Sequence, residues 1–423
     1  MKNICFSVKL LLLNLLIFIS QLQTHSTVYA QYQEPLAVLW GVEANELPDK
    51  LNDERNLINV DELLKPLLDD INFGGSWIDV KEDKVFINTL NVSKEEEIIA
   101  KMSEYKDYLS FIQTNKSLNE LSSSFEQIKS LANENEAEDI YGYIDNSENN
   151  IVIYLEQNEG DNKNKEFIDA AKQFDPIFKY GNPADSDSVS DSSPDSYDPK
   201  KFGLDTRQQK LVLIGDGLVR LIKFATCTAG CLARDKNNPD TRYFVTSGHC
   251  YDKKRPDRND FFYSPWGKLY TDDLVGRMVT GFLKPHDFGL LAIKENDLKP
   301  LPMIRNTQST LYRPLLPINN SIPQVSNHGA HLCKSGHSTY VTCGNIKGFN
   351  GFSRDSKGME EDLIVTDMLA DVGDSGGPLF QFLQSMSSTS INGILVGGNK
   401  GIAVGVPLDI VLNEGDIELI TNV

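Results

Sequence analysis

Residues 373–378, Gly-Asp-Ser-Gly-Gly-Pro, suit the presentation of a hydroxyl. The glycines around Ser375 leave it unshielded and permit a tight turn that aims backbone N–H groups at the oxygen of a bound carbonyl. A serine hydroxyl is a weak nucleophile until a base takes its proton and a carboxylate orients that base. Of six histidines, His249 closes the apolar run Phe244-Val245-Thr246-Ser247-Gly248 and precedes Cys250. Asp287 opens Asp287-Phe288-Gly289-Leu290-Leu291-Ala292-Ile293, which reads as a buried strand; Asp272 and Asp273, nearer a turn, are its rivals. This set predicts acyl transfer. Ser375 attacks a peptide carbonyl, His249 acts as base and then acid, Asp287 orients the imidazole, and the Gly373 and Ser375 N–H groups form the oxyanion hole.

The order His, Asp, Ser and these motifs resemble the chymotrypsin-fold serine proteases, above all the secreted bacterial branch of alpha-lytic protease and the streptogrisins. Cys333-Lys334-Ser335-Gly336 leading to Cys343-Gly344 resembles that branch's disulfide loop, and Cys227-Thr228-Ala229-Gly230 its first-barrel cysteine strand. The resemblance implies an all-β double β-barrel over 211–423. It places Leu369 and Ala370 in the primary substrate pocket and Val396-Gly397-Gly398 along the substrate backbone, so that medium to large apolar side chains are expected at the cleavage site. Two positions depart from the family. Ser247 replaces an alanine. Val396 replaces a serine that bonds the aspartate, which implies a carboxylate short of a partner at a cost of roughly 1–3 kcal/mol. Val396 is the main support for the alternative reading, a catalytically inactive protease-like binding protein.

The rest of the chain must position these groups. Its 423 residues suggest about two or three domains. The net charge of −19 is unevenly spread: roughly 22 more acids than bases lie in 31–200, whereas 201–423 is close to neutral. No basic stripe suits nucleic acid. Residues 1–30 carry Lys2 and Lys9, an apolar run Leu10–Ile19 and a polar stretch ending at Ala30, which reads as a secretory signal peptide; no other run is long enough to cross a membrane. Export favours disulfides. Cys333 and Cys343 enclose a short loop and are expected to pair. Cys250 needs Cys227 or Cys231, and the family resemblance favours Cys227. His328, His331, Cys333 and His337 have the types of a zinc cluster, but Cys333 is better used in a disulfide; no metal or cofactor is expected. His286 is expected at the surface.

Residues 31–180 contain a repeat, Trp77–Ile87 against Tyr143–Ile153, each an aromatic-led strand, polar turn and β-branched strand. Helical stretches follow, one capped by Ser93 with Glu96, the other carrying Phe167, Ala170, Ala171 and Phe174, with a helical lead-in near Val60–Leu68. The expectation is an acidic α+β region of two ββα units. The arrangement resembles the pro-region of the alpha-lytic branch, a folding assistant and inhibitor of its own protease. Residues 181–210 form an Asp/Ser/Pro-rich linker and processing site, with the mature chain starting between 201 and 215. Short β-rich segments follow: 211–214, 218–224, 243–246, 274–279, 290–293, 339–343, 362–367, 391–396 and 402–404, with a closing helix in 407–420. The whole reads as a secreted serine endopeptidase made as a proenzyme, a monomer acting on protein or peptide substrates.

Overall fold

The computed structural model describes residues 33–181, 210–222, 224–268, 270–294, 298–320, 326–399 and 401–421. The proposed signal peptide, nearly all of the linker and the proposed processing site lie outside the described residues.

The acidic half runs α1 (Pro35–Trp40), α2 (Leu47–Leu64), β1 (Phe73–Asp79), β2 (Lys84–Thr89), α3 (Glu95–Lys101), β3 (Leu109–Gln113), α4 (Leu118–Glu134), β4 (Ile140–Asp145), β5 (Asn150–Leu155), α5 (Lys165–Ala171) and β6 (Ile177–Tyr180). The repeat is physical. In each hairpin an aspartate turns the chain, Asp79 Oδ1 accepting the Lys81 N–H at 2.8 Å and Asp145 Oδ1 the Ser147 N–H at 3.0 Å. A left-handed residue, Asp83 or Asn149, follows. Each unit is larger than the ββα expected, because β3 lies parallel to β2 and β6 parallel to β5. These added strands are four or five residues long and leave little periodicity to read. Ser93 does not form the expected capping box. Asn91 caps a short 3-10 turn there, and the box belongs to Ser117 and Glu120 at the start of α4. The expected lead-in is only the last turns of the 18-residue α2, which begins at Leu47.

The neutral half runs β7 (Lys210–Ile214), β8 (Gly217–Arg220), β9 (Ala225–Thr228), β10 (Cys231–Asp235), β11 (Arg242–Thr246), β12 (Asp260–Ser264), β13 (Leu274–Gly281), β14 (Gly289–Ile293), β15 (Leu298–Arg305) and β16 (Leu315–Pro317). It continues with β17 (His331–Gly336), β18 (Tyr340–Asp355), β19 (Gly358–Thr366), β20 (Pro378–Phe382), β21 (Thr389–Gly398), β22 (Ala403–Pro407), α6 (Leu408–Glu414) and β23 (Ile417–Leu419). One antiparallel sheet has the order β23-β10-β11-β14-β13-β12-β8-β9. In the other, β17-β20-β21-β22-β19-β18 closes on itself through a β17–β18 pairing. The expected closing helix ends early: α6 stops at Glu414, Asp416 is left-handed, and β23 returns to pair with β10 of the first sheet.

The halves share a sheet. The long strand β18 pairs with β4, Phe352 opposite Gly142. Gly142 is required there, since a Cβ would come within 2.3 Å of the Phe352 ring. The face of α2 that buries Leu51, Leu57 and Leu64 also buries two acids, Glu54 and Asp61. Buried acids need partners. Glu54 accepts the His331 N–H at 2.7 Å and faces its Nδ1 at 2.5 Å, and Asp61 accepts from Asn327 Nδ2 at 2.7 Å. No helix among the described residues is long and apolar enough to cross a membrane.

Candidate active site

Ser375 sits in a turn held from three sides. Strand β9 grips it through Thr228, whose N–H donates to the Ser375 carbonyl at 2.8 Å and whose Oγ1 donates to the Gly373 carbonyl at 2.8 Å. Gly373 is left-handed at φ 100°, and a Cβ there would meet Ser338 Oγ at 2.4 Å, so only glycine fits. Among the described residues, neither the Gly373 nor the Ser375 N–H has an acceptor. Two unpaired donors beside a hydroxyl suit an arriving oxyanion.

Between them lies Asp374, fully buried against the equally buried Lys334 at 3.1 Å. Its carboxylate accepts the Ser338 N–H at 2.8 Å, the Thr339 N–H at 3.0 Å and the Thr339 hydroxyl at 2.6 Å. Burial opposes its charge, but Lys334 and the Thr339 and Ser338 hydrogen bonds outweigh that and hold its pKa below the usual carboxylate value.

His249 follows β11 on a short 3-10 turn and keeps a third of its side chain exposed. Its Nδ1 lies 2.6 Å from Asp287 Oδ2, and its own N–H donates to Asp287 Oδ1 at 2.9 Å. Burial disfavours the imidazolium, but the Asp287 hydrogen bond and charge prevail and raise the pKa above 6.5. Asp287 is 3% exposed. Both its oxygens are occupied by His249, so Val396 does not leave it short of a partner as expected. The rival Asp273 faces Lys210 at 2.6 Å at the surface.

The histidine and serine turns are fastened together. The Leu395 carbonyl accepts the Gly376 N–H at 2.7 Å and the Ser247 hydroxyl at 2.9 Å. Ser247, a departure from the resembled family, thus makes a link that alanine cannot. A disulfide joins Cys250, next to His249, to Cys227, next to Thr228. Cys333 pairs with Cys343. Cys231 is a buried free thiol whose pKa burial pushes to about 12. Replacing Cys227 and Cys250 together with alanine is expected to lower stability by about 3 kcal/mol, from the entropy of a loop of this length. A denaturant titration that finds no loss would contradict this.

Of the expected pocket residues, Ala370 is buried and its N–H donates to the Asn399 carbonyl at 3.3 Å, while the Leu369 carbonyl accepts from Thr342 Oγ1 at 2.7 Å. Leu369 is thereby joined to β18, and Ala370 to the residue after the strand of Val396, Gly397 and Gly398. A cavity of about 190 Å³ is lined by His249, Asp287, Val396, Gly397 and Glu360, and also by Tyr141 and Asp139 of the acidic half. Tyr154 Oη donates to Asn399 Oδ1 at 3.2 Å, and Asn399 Nδ2 to Glu156 at 3.3 Å. The acidic half therefore lies along the end of that strand.

One histidine expectation changes. His286 is not at the surface: its side chain is 8% exposed, between Glu414 and Asp362. Three of the four residues with zinc-cluster types have other partners. Cys333 is in a disulfide, His331 faces Glu54, and His328 Nδ1 faces the Lys347 carbonyl. Sequence reasoning missed Thr228 and assigned Lys334 no role. Thr228 lay within a quoted motif, but nothing in one sequence says which threonine holds a distant turn.

No family model and no curated protein matches the chain. Among solved structures it is similar to Thermobifida fusca protease A, at 21% identity and a TM-score of 0.39 over 50% of this chain and 100% of that one. It is also similar to a Nocardiopsis protease, at 20% and 0.38 over 49% and 98%, and to an alpha-lytic protease homologue, at 20% and 0.38 over 49% and 98%. The neighbours of this sheet-rich chain are thus serine proteases of the chymotrypsin fold.

Proposed function

We propose that this chain is a secreted serine endopeptidase made as a proenzyme. The observation that carries the reading is the Leu395 carbonyl, which ties the turn of Ser375 to the turn of a histidine already paired with a buried aspartate. In the reaction, Ser375 Oγ attacks the scissile carbonyl while His249 Nε2 takes its proton. Asp287 fixes the tautomer and steadies the imidazolium, and the Gly373 and Ser375 N–H groups bind the oxyanion. His249 then protonates the leaving amine. Water, deprotonated by His249, releases the acid from the ester. No cofactor or metal takes part. The enzyme acts as a monomer with Leu369, Ala370 and Val396–Gly398 receiving an apolar side chain, on two β-barrels. The acidic half assists the slow folding of a sheet built from non-local pairings and then covers the site, which supports its role as inhibitor until residues up to about 210 are removed.

Only neutral His249 accepts a proton, so activity rises with pH through its pKa, above 6.5 because Asp287 favours the charged form. Asp287→Asn removes that charge. Its acid limb is expected to move to lower pH while kcat falls about 10⁴-fold, as a pH–rate profile would read. The reading as a whole is tested by expressing the full chain in a secreting host and sequencing the product's N-terminus. Expected is a product beginning between 201 and 215 that hydrolyses peptides after apolar residues. A secreted, unprocessed chain without hydrolysis, even after limited proteolysis of the linker, would overturn it.

A further inference from the structure

We propose that His286 is a positioning residue for Asp287, clamping its loop across the boundary between the two sheets; this rests on the protease reading above. Asp287 lies in the loop between β13 and β14, in the first sheet. Each residue from 284 to 286 is fastened to β19, in the second. Lys284 Nζ donates to Glu360 Oε1 at 3.0 Å, and the Pro285 carbonyl accepts the Glu361 N–H at 3.1 Å. His286 Nε2 lies 3.3 Å from Asp362 Oδ2, and its Nδ1 lies 2.7 Å from Glu414 Oε1 at the end of α6. Both ring nitrogens face carboxylates. The ring is therefore a buried staple holding two elements of the second half against the residue before Asp287. Asp287 in turn touches His249 through two hydrogen bonds. A loop free to shift by an ångström would misalign the imidazole, while the Val396–Gly398 strand would be untouched.

The test uses the full chain, self-processed, with kinetics normalised to sites titrated by an organophosphonate. His286→Gln is expected to lower kcat roughly 10- to 100-fold, as expected of a small misplacement, with KM nearly unchanged. Glu414→Gln should give a smaller loss, and the double variant no more than His286→Gln alone, because one staple is lost in both. Normal kcat per titrated site with only a lower melting temperature would overturn the proposal. Should His286→Gln fail to accumulate, Glu414→Gln and Asp362→Asn, on half-exposed carboxylates, decide it by the same split. The resonance of the His249 Nδ1–H proton bonded to Asp287 gives a readout that needs no turnover. Expected is broadening or displacement in His286→Gln. An unchanged resonance sinks the clamp, whereas a changed resonance in a chain without wild-type turnover sinks the protease reading alone.

Discussion

Replacing Ser375 with alanine is expected to lower peptide hydrolysis by about 10⁶-fold, the scale seen when a triad nucleophile is removed. The residue left behind is small, and the turn keeps its other supports. Thr228 still bonds the carbonyls of residues 373 and 375, Leu395 still receives the Gly376 N–H, and Asp374 still faces Lys334. Stability should therefore change little while turnover nearly vanishes. Self-processing should stop as well, leaving the acidic half attached. Kinetics on chain cleaved in the linker by an added protease would separate the two effects. Hydrolysis within tenfold of wild type would mean that some other group makes the acyl intermediate.

Lys334→Met should be the most destabilising substitution near the site, at about 3–5 kcal/mol. The ammonium is fully buried and faces the fully buried Asp374 carboxylate; it also donates to Thr339 Oγ1 at 2.6 Å and the Tyr340 carbonyl at 3.1 Å. Removing it leaves an unpaired buried charge on the residue between the two whose N–H groups are proposed to bind the oxyanion. Relief by rotation of the turn would move both donors, so kcat should fall with stability. The loss is a large share of the roughly 5–15 kcal/mol available to a folded domain. Lys334→Met with Asp374→Asn removes both charges and should recover most of the stability, as denaturant melts would show. With its pKa held low in the folded state, Asp374 stabilises above its unfolded pKa, and that stabilisation is lost as pH falls through the folded value. A Lys334→Met protein as stable as wild type would show that the pair does not hold the turn.

How far the sequence could be read follows from which forces are local. The Gly-Asp-Ser-Gly-Gly turn was legible because its glycines answer to backbone geometry within six residues: φ at Gly373 and Gly376 is positive. The apolar runs of β11, β14 and β21 showed for the same reason. What escaped was decided by distant partners. Strand β23 exists because β10 offers it an edge, and β6 because β5 does. Glu54 and Asp61 look like surface acids in an exposed helix until His331 and Asn327, more than 250 residues away, are seen to receive them. His286 looked like a surface residue because its two carboxylates lie 76 and 128 positions downstream. Val396 seemed to starve Asp287 of a partner, since the His249 backbone N–H that fills the second oxygen carries no sequence signature.

The central claim is that one hydroxyl, at residue 375, is made nucleophilic by one imidazole, at residue 249. Reaction of the processed chain with a fluorophosphonate, followed by mass mapping of the modified peptide, tests it most directly. The account predicts a single stoichiometric adduct on the peptide containing Ser375, absent when His249 is replaced by alanine. An adduct elsewhere, or labelling of Ser375 that does not depend on His249, would contradict it.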